Sequence, residues 1–107
     1  KKVNVLLNFL KQIITKTRID MAKKAIKFSA SWCGPCRSYA PVWNKVKEEI
    51  TDGVEYIEVD IDSDTTGLAA EYQVRSVPTT VIIQENGDTS KHVGLQTSQN
   101  LKELILF

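Results

Sequence analysis

Hydrophobic and polar residues recur along this chain with two different periods, and the switches between them mark out the elements. Val3, Leu6, Leu7, Leu10, Ile13, Ile14 and Thr17 return at steps of three and four, which predicts a helix with one apolar stripe over residues 3–17. Asp20 and Met21 read as the connection that follows. Ala25 to Ala30 reads as a short strand with Ile26, Phe28 and Ala30 on one face. Gly34-Pro35 then opens a helix that Tyr39, Val42, Val46 and Ile50 continue, and Asp52-Gly53 ends it. Pro41 falls inside that pattern, where its missing N–H predicts a kink. Val54 to Asp60 alternates as a second strand, with Val54 and Tyr56 buried and Val59 and Ile61 as further candidates. Asp62 to Thr66 is polar loop, and Leu68 to Tyr72 is a short helical turn. Thr79 to Gln84 is a β-branched strand, Asn86-Gly87 a hairpin turn, and Thr89 to Val93 the return strand. Thr97 or Ser98 can cap a last helix running to Phe107, with Leu101, Leu104 and Ile105 toward the core.

The order is helix, strand, helix, strand, short helix, hairpin, helix. A strand–helix–strand unit implies a parallel pair with a right-handed crossover, and the hairpin adds two antiparallel strands. Helices can then cover both faces of a mixed sheet. A length of 107 residues suits one domain over residues 1–107 with a core of its own. The hydrophobic share of 42% and charged share of 25% set aside disorder and low complexity. No apolar run is long enough to predict a membrane-spanning helix. Lys1-Lys2 before Val3 to Leu10 resembles a signal peptide only faintly. Asn4, Asn8 and Lys11 interrupt the run and no small-residue cleavage site follows, so none is expected. Met21 could also be an internal start, an alternative the residues leave open.

The net charge of +1 hides a split. Eleven of the fourteen Lys and Arg residues lie in residues 1–47 with one acid, Asp20, and the other twelve acids lie in residues 48–107. A uniformly basic nucleic-acid binder is therefore excluded, though a basic face on one part of the molecule is not, and no direct nucleic-acid or membrane partner is expected. The parallel pair of the strand–helix–strand unit joins one strand from each half in one sheet, so the split does not mark two domains. It becomes a polarity across the segment flanked by Lys23, Lys24, Lys27 and Arg37, opposite the acidic stretch from Glu58 to Asp64.

The candidate chemistry is Trp32-Cys33-Gly34-Pro35-Cys36. The first turn of a helix leaves backbone N–H groups unpaired and carries partial positive charge. Both stabilise a thiolate at Cys33, and the thiolate is the nucleophile. Cys36 stands one turn further in, within reach of a mixed disulfide. Gly34 permits a partner's close approach, and Pro35 suits a position with no intrahelical N–H partner. Two cysteines at this spacing could also be half of a zinc site, a structural disulfide, or chance. Zinc would need two further ligands from His92 and carboxylates, so the redox reading is preferred. His92 is expected to face solvent on an edge strand. Asp60, Asp62 and Asp64 lack the glycine and glutamate of a calcium loop and read as a solvated acidic patch.

These residues resemble the active site of the thioredoxin family. The resemblance continues in order through Arg37 with Ala40-Pro41, Val59-Asp60-Ile61-Asp62, Tyr72-Gln73-Val74-Arg75-Ser76-Val77-Pro78-Thr79, Asn86-Gly87 and Val93-Gly94, and covers about residues 24–106. It implies a thioredoxin-like three-layer α/β/α sandwich around a mixed four-stranded sheet, or five-stranded if Val3 to Leu6 supply an edge strand. In spatial order the four strands would be 54–60, 25–30, 79–84 and 89–93. It also implies roles. Cys33 would attack a substrate disulfide and Cys36 would resolve the mixed disulfide. Pro78 would be cis against Cys33, with Val77 offering backbone hydrogen bonds. Trp32, Gly34, Pro35, Ile61, Val77, Val93 and Gly94 would form an apolar docking surface.

The chain departs from the family in three ways. The buried aspartate six residues before the nucleophile is Lys27 here, and the lysine of the next strand is Glu58. A Lys27–Glu58 ion pair beneath Cys36 is one expectation, with Lys27 favouring thiolate and Glu58 relaying a proton. The other is that Lys27 reaches outward and Glu58 is solvated. The second tryptophan before the active site is Ser29, and Trp43 is an added one, expected to pack. The N-terminal segment reads as helix rather than edge strand.

The resemblance implies a reductase of protein disulfides working in the cytoplasm as a monomer. It would need no cofactor besides its redox-active Cys33–Cys36 disulfide, and a thioredoxin reductase or equivalent donor as partner. The alternatives are a disulfide oxidase or isomerase, against which the Gly-Pro dipeptide speaks, and a redox-independent docking subunit of a larger complex.

Overall fold

The computed structural model describes residues 22–107. The expected helix over residues 3–17, the alternative strand at Val3 to Leu6, and the connection at Asp20 and Met21 lie outside the described residues.

Four strands form one mixed sheet: β1 (Lys23–Ser29), β2 (Val54–Asp60), β3 (Thr79–Ile83) and β4 (Thr89–Val93). Their order is β2-β1-β3-β4, as the family resemblance implies. β1 runs parallel to β2 and antiparallel to β3, and β4 is antiparallel to β3. Three helices join them: α1 (Gly34–Glu49), α2 (Leu68–Glu71) and α3 (Ser98–Leu106).

β1 is central because both its edges are paired, and four consecutive residues, Ala25 to Phe28, are buried. A strand covered on both faces needs no polar side, unlike one that faces water. Ile26 and Phe28 pack with Val59 and Val81 on one face. Ala25 packs on the other, with Tyr39, Trp43 and Val46 of α1, Ile82, and Leu101 and Ile105 of α3. Ala30, expected beside Phe28, lies past the strand end and packs against the two cysteines instead.

α1 buries Cys36, Tyr39, Trp43 and Val46, steps of three and four that make one stripe. Trp43 fills the place the sequence reading gave to Val42, which is only half-buried. The stripe that anchors α1 therefore ends in Cys36, so helix packing fixes that sulfur's position. The helix continues through Pro41, which donates no hydrogen bond of its own.

The hairpin is longer than Asn86-Gly87 alone predicts. A two-residue turn of that type needs positive φ at both residues. Gln73 is the non-glycine residue with positive φ among those described, so Asn86 does not meet the requirement. β3 stops at Ile83, and Gln84 to Asp88 close the loop through Gly87 N–H on Gln84 O at 2.9 Å and Gln84 N–H on Asp88 O at 2.8 Å. Thr97 caps α3, its Oγ1 accepting from Asn100 N–H at 3.0 Å, and the helix stops at Leu106. Among the described residues no helix is long and apolar enough to cross a membrane.

Candidate active site

The chain leaves β1 at Ser29 and turns through Ala30–Trp32, with Cys33 N–H on Ala30 O at 3.2 Å, before entering α1. Cys33 is the N-cap residue itself. Its Sγ accepts the backbone N–H of Cys36 at 3.1 Å, one of the donors a helix start leaves unpaired. A thiolate at Cys33 would receive that N–H as a charge-assisted hydrogen bond, at the positive end of a sixteen-residue helix.

Cys33 and Cys36 are joined in a disulfide, with Cα atoms 5.2 Å apart. They are 4% and 6% exposed and pack with Ala30 against Ile61 and Val77. The Val77–Pro78 peptide is cis, and Val77 O stands 3.6 Å from Cys33 Sγ. A disulfide sulfur carries no proton, so a hydrogen bond at that contact would need the reduced thiol as donor. Gly94 N–H donates to Pro78 O at 2.8 Å, and Gly94 has φ +95, a conformation that costs most residues strain. That bond ties the end of β4 to the cis-proline turn, with Val93 paired to Thr79 beside it.

Around this pair the rim is apolar and open. Trp32 is 64% exposed and Val93 63%, and Gly34 and Pro35 are also exposed. Ile61 and Val77 are half-buried. Trp32 is held by an interaction the sequence reading missed: its Nε1–H donates to Asp62 Oδ2 at 2.7 Å. The acidic patch is thus three separate local devices. Asp60 Oδ1 accepts from Asp62 N–H, and Asp62 orients the indole. Asp64 accepts from the N–H groups of Thr66, Gly67 and Ala69 at the start of α2. The Thr66 hydroxyl and these backbone donors hold the Asp64 carboxyl below its usual value. An Asp two residues before a Thr-Gly at a helix start is the signal that could have found this cap.

Lys27 resolves the choice between the two sequence expectations by taking part of each. It is only 6% exposed, and its Nζ lies 3.0 Å from Glu58 Oε1. Glu58 is 48% exposed and also stands 4.0 Å from Lys47 Nζ. One partner is therefore inside and the other solvated. Lys27 also lies over the Trp43 ring, 5.6 Å from its centroid. An open cleft of about 290 Å³ brings Lys27, Cys36, Arg37 and Asp60 to shared walls. Arg37 donates to Ser31 O at 3.1 Å, bracing the turn before the cysteines. A larger hollow of about 480 Å³, beside the hairpin and Phe107, contains neither cysteine. His92, expected to face solvent, is half-buried on β4, where its ring shares a hydrogen bond with the Ser90 hydroxyl.

The arrangement supports sulfur exchange: one capped sulfur at an apolar rim, a second one turn behind, and a cis-proline turn that bounds the first. Comparison with known proteins agrees. The thioredoxin family model matches residues 5–106. A thioredoxin of Mycoplasmoides gallisepticum is 31% identical, over 90% of this chain and 99% of that protein. One of Staphylococcus epidermidis is 32% identical, over 83% of this chain and 85% of that protein. The X-ray structure of Fasciola hepatica thioredoxin superposes with a TM-score of 0.71 at 32% identity, covering 91% of this chain and 88% of that one. The matches in sequence and in fold, together with the Cys33–Cys36 disulfide at the start of α1, show that this chain belongs to the thioredoxin family, as a thiol–disulfide oxidoreductase.

Proposed function

We propose that the chain works as a reductase of disulfides in protein substrates, in the cytoplasm, with a thioredoxin reductase or an equivalent donor restoring its dithiol. Cys33 as thiolate attacks one sulfur of the substrate disulfide, and the other sulfur leaves. Cys36 then attacks Cys33 Sγ, which closes the Cys33–Cys36 disulfide and releases the reduced substrate. The capped Cys33 sulfur is the observation that carries this reading. A backbone N–H aimed at that sulfur stabilises its anion, the form that attacks a disulfide. Trp32, Val93 and the Val77–Pro78 turn give an extended substrate an apolar surface and a backbone edge beside the sulfur. The cysteine pair serves as the redox group, and the Gly-Pro dipeptide resembles that of reductases.

The test is reduction of a disulfide-bonded protein with dithiothreitol as donor. The unaltered chain is expected to accelerate reduction well above the uncatalysed rate, and Cys33→Ser to return it to that rate. Equal rates for the two proteins would overturn the reading. Equilibration against glutathione fixes the direction, with a reductase holding mostly disulfide where an oxidase would hold mostly dithiol.

A further inference from the structure

Side chains of a strand alternate between the faces of its sheet. Ala25 packs beneath α1, so Lys27, two residues on, faces the same side. The strand register sets Glu58, Lys27, Thr80 and His92 side by side across all four strands. Lys27 and Thr80 are buried, and Tyr39 of α1 joins the row through its hydroxyl, 2.8 Å from Thr80 Oγ1. A polar row therefore crosses the sheet under α1, between the apolar core around Trp43 and Val46 and the cleft beside Cys36.

Stability alone does not account for a cation in that row. Taking an ammonium out of water costs several kcal/mol, and replacing a buried ion pair with apolar residues is often neutral or stabilising. Glu58 and the Trp43 ring offset the cost, but neither requires a charge at this place. The remaining neighbour is chemical: Lys27 and Cys36 line one cleft.

We propose that Lys27 is an electrostatic positioning residue for Cys36, its ammonium stabilising the thiolate that resolves the mixed disulfide. The inference rests on the reading of Cys36 as the resolving sulfur. The Cys36 thiol gives its proton to water in the solvent-open cleft. Its electron pair then forms the Cys33–Cys36 bond, the bond from Cys33 to the substrate sulfur breaks, and that sulfur leaves as a thiolate that takes a proton from solvent. The substrate disulfide gains two electrons and the cysteine pair loses two. Glu58 has a different part from a proton relay. It is solvated and tied to Lys27, so it partly neutralises the cation.

The groups around Lys27 come from every packed element. β2 supplies Glu58 and Asp60, which oppose a thiolate. α1 supplies Cys36, Arg37, Tyr39 and, through Glu58, Lys47. β3 supplies neutral Thr80, with His92 next in the register on β4. Arg37 acts in the same sense as Lys27. An opposite charge favours the thiolate, and the Lys27 ammonium, held on Glu58 and over the Trp43 ring, acts on Cys36 across the shared cleft. Solvent in the cleft and the Glu58 carboxylate weaken it, so the expected effect is at most about tenfold in thiolate fraction.

The experiment titrates Cys36 alone. The chain has two cysteines, so Cys33→Ser leaves Cys36 as its one thiol, and ultraviolet absorbance reads its thiolate against pH. In that background Lys27→Met is expected to raise the midpoint by up to about one unit, and Lys27→Arg to leave it near its starting value. Glu58→Gln, which removes the neutralising carboxylate, is expected to lower it. Opposite signs from the two partners of one ion pair would not follow from a merely structural role. An unmoved midpoint in Lys27→Met, or an unmoved or raised one in Glu58→Gln, overturns the proposal. Should Lys27→Met fail to fold, the Glu58→Gln result decides. The disulfide-reduction assay on the unaltered chain is independent: an active chain with unmoved midpoints overturns the Lys27 role alone, and an inactive chain overturns the dithiol reading.

Discussion

The two sulfurs of this site stand one helical turn apart in unlike surroundings. Cys33 lies at the end of α1 beside an apolar rim of Trp32, Val77 and Val93, with a backbone N–H on its sulfur. Cys36 is the first buried residue of the stripe that anchors α1, and it lines a charged cleft with Lys27, Arg37 and Asp60. The two surroundings differ, apolar and open on one side and charged on the other, so the pair is not symmetric. On the proposed reading, docking falls to the first sulfur and electrostatic tuning to the second.

The largest expected loss comes from removing what both sides share. Trp43 is fully buried between Tyr39, Tyr56 and the Lys27 ammonium, and it fixes α1 on the sheet. Trp43→Ala is expected to cost about 3–5 kcal/mol of stability in urea unfolding, the range for large-to-small changes of an aromatic in a core. A loss under about 1 kcal/mol would mean that α1 is held elsewhere.

A smaller change should break only the rim. Asp62→Ala removes the acceptor that orients the Trp32 indole. One exposed hydrogen bond of this kind is worth about 1 kcal/mol, so KM for a protein substrate is expected to rise a few-fold. The kcat and the Cys36 titration should stay where they are. A shift in that titration would show that rim and cleft are coupled.

Much of this was legible in the sequence, and the reason is locality. The succession of strands and helices, the helix from Gly34 and the cap at Thr97 each follow from a pattern within a few residues of itself, whereas the spatial order of the strands came only with the family resemblance. The Trp32–Asp62 bond spans thirty residues and needs the chain to fold before the partners meet. The expected strand 79–84 runs one residue past β3 because Asn-Gly names a turn but not where the flanking pairing stops. Val42 lost its place to Trp43 because both fit the helical period and only packing chooses between them. The sequence leaves open whether Lys27 and Glu58 pair or point apart, because half-burial, with one partner inside and one in water, is a property of the packed sheet edge.

The smallest expected effect lies farthest from the sulfurs. The Asp64 carboxyl is held below its ordinary value of 3.8 by the Thr66 hydroxyl and the backbone donors of the α2 start. Its contribution to stability is therefore present above that ordinary value and is lost as pH falls through the lowered one. Asp64→Asn should be slightly less stable at neutral pH, with the difference from the unaltered chain shrinking in acid. A difference that holds constant into acid would contradict the charge-based cap.

The asymmetry of the two sulfurs is tested most directly by trapping. Each single cysteine variant, fully reduced, is incubated with a peptide disulfide, and the adduct is read by intact mass. Cys36→Ser should accumulate a stable mixed disulfide on Cys33, because nothing remains to resolve it, and Cys33→Ser should form little on the same timescale. Equal adduct on both variants, or adduct on Cys33→Ser alone, would contradict the assignment of the rim sulfur as nucleophile and the cleft sulfur as resolver.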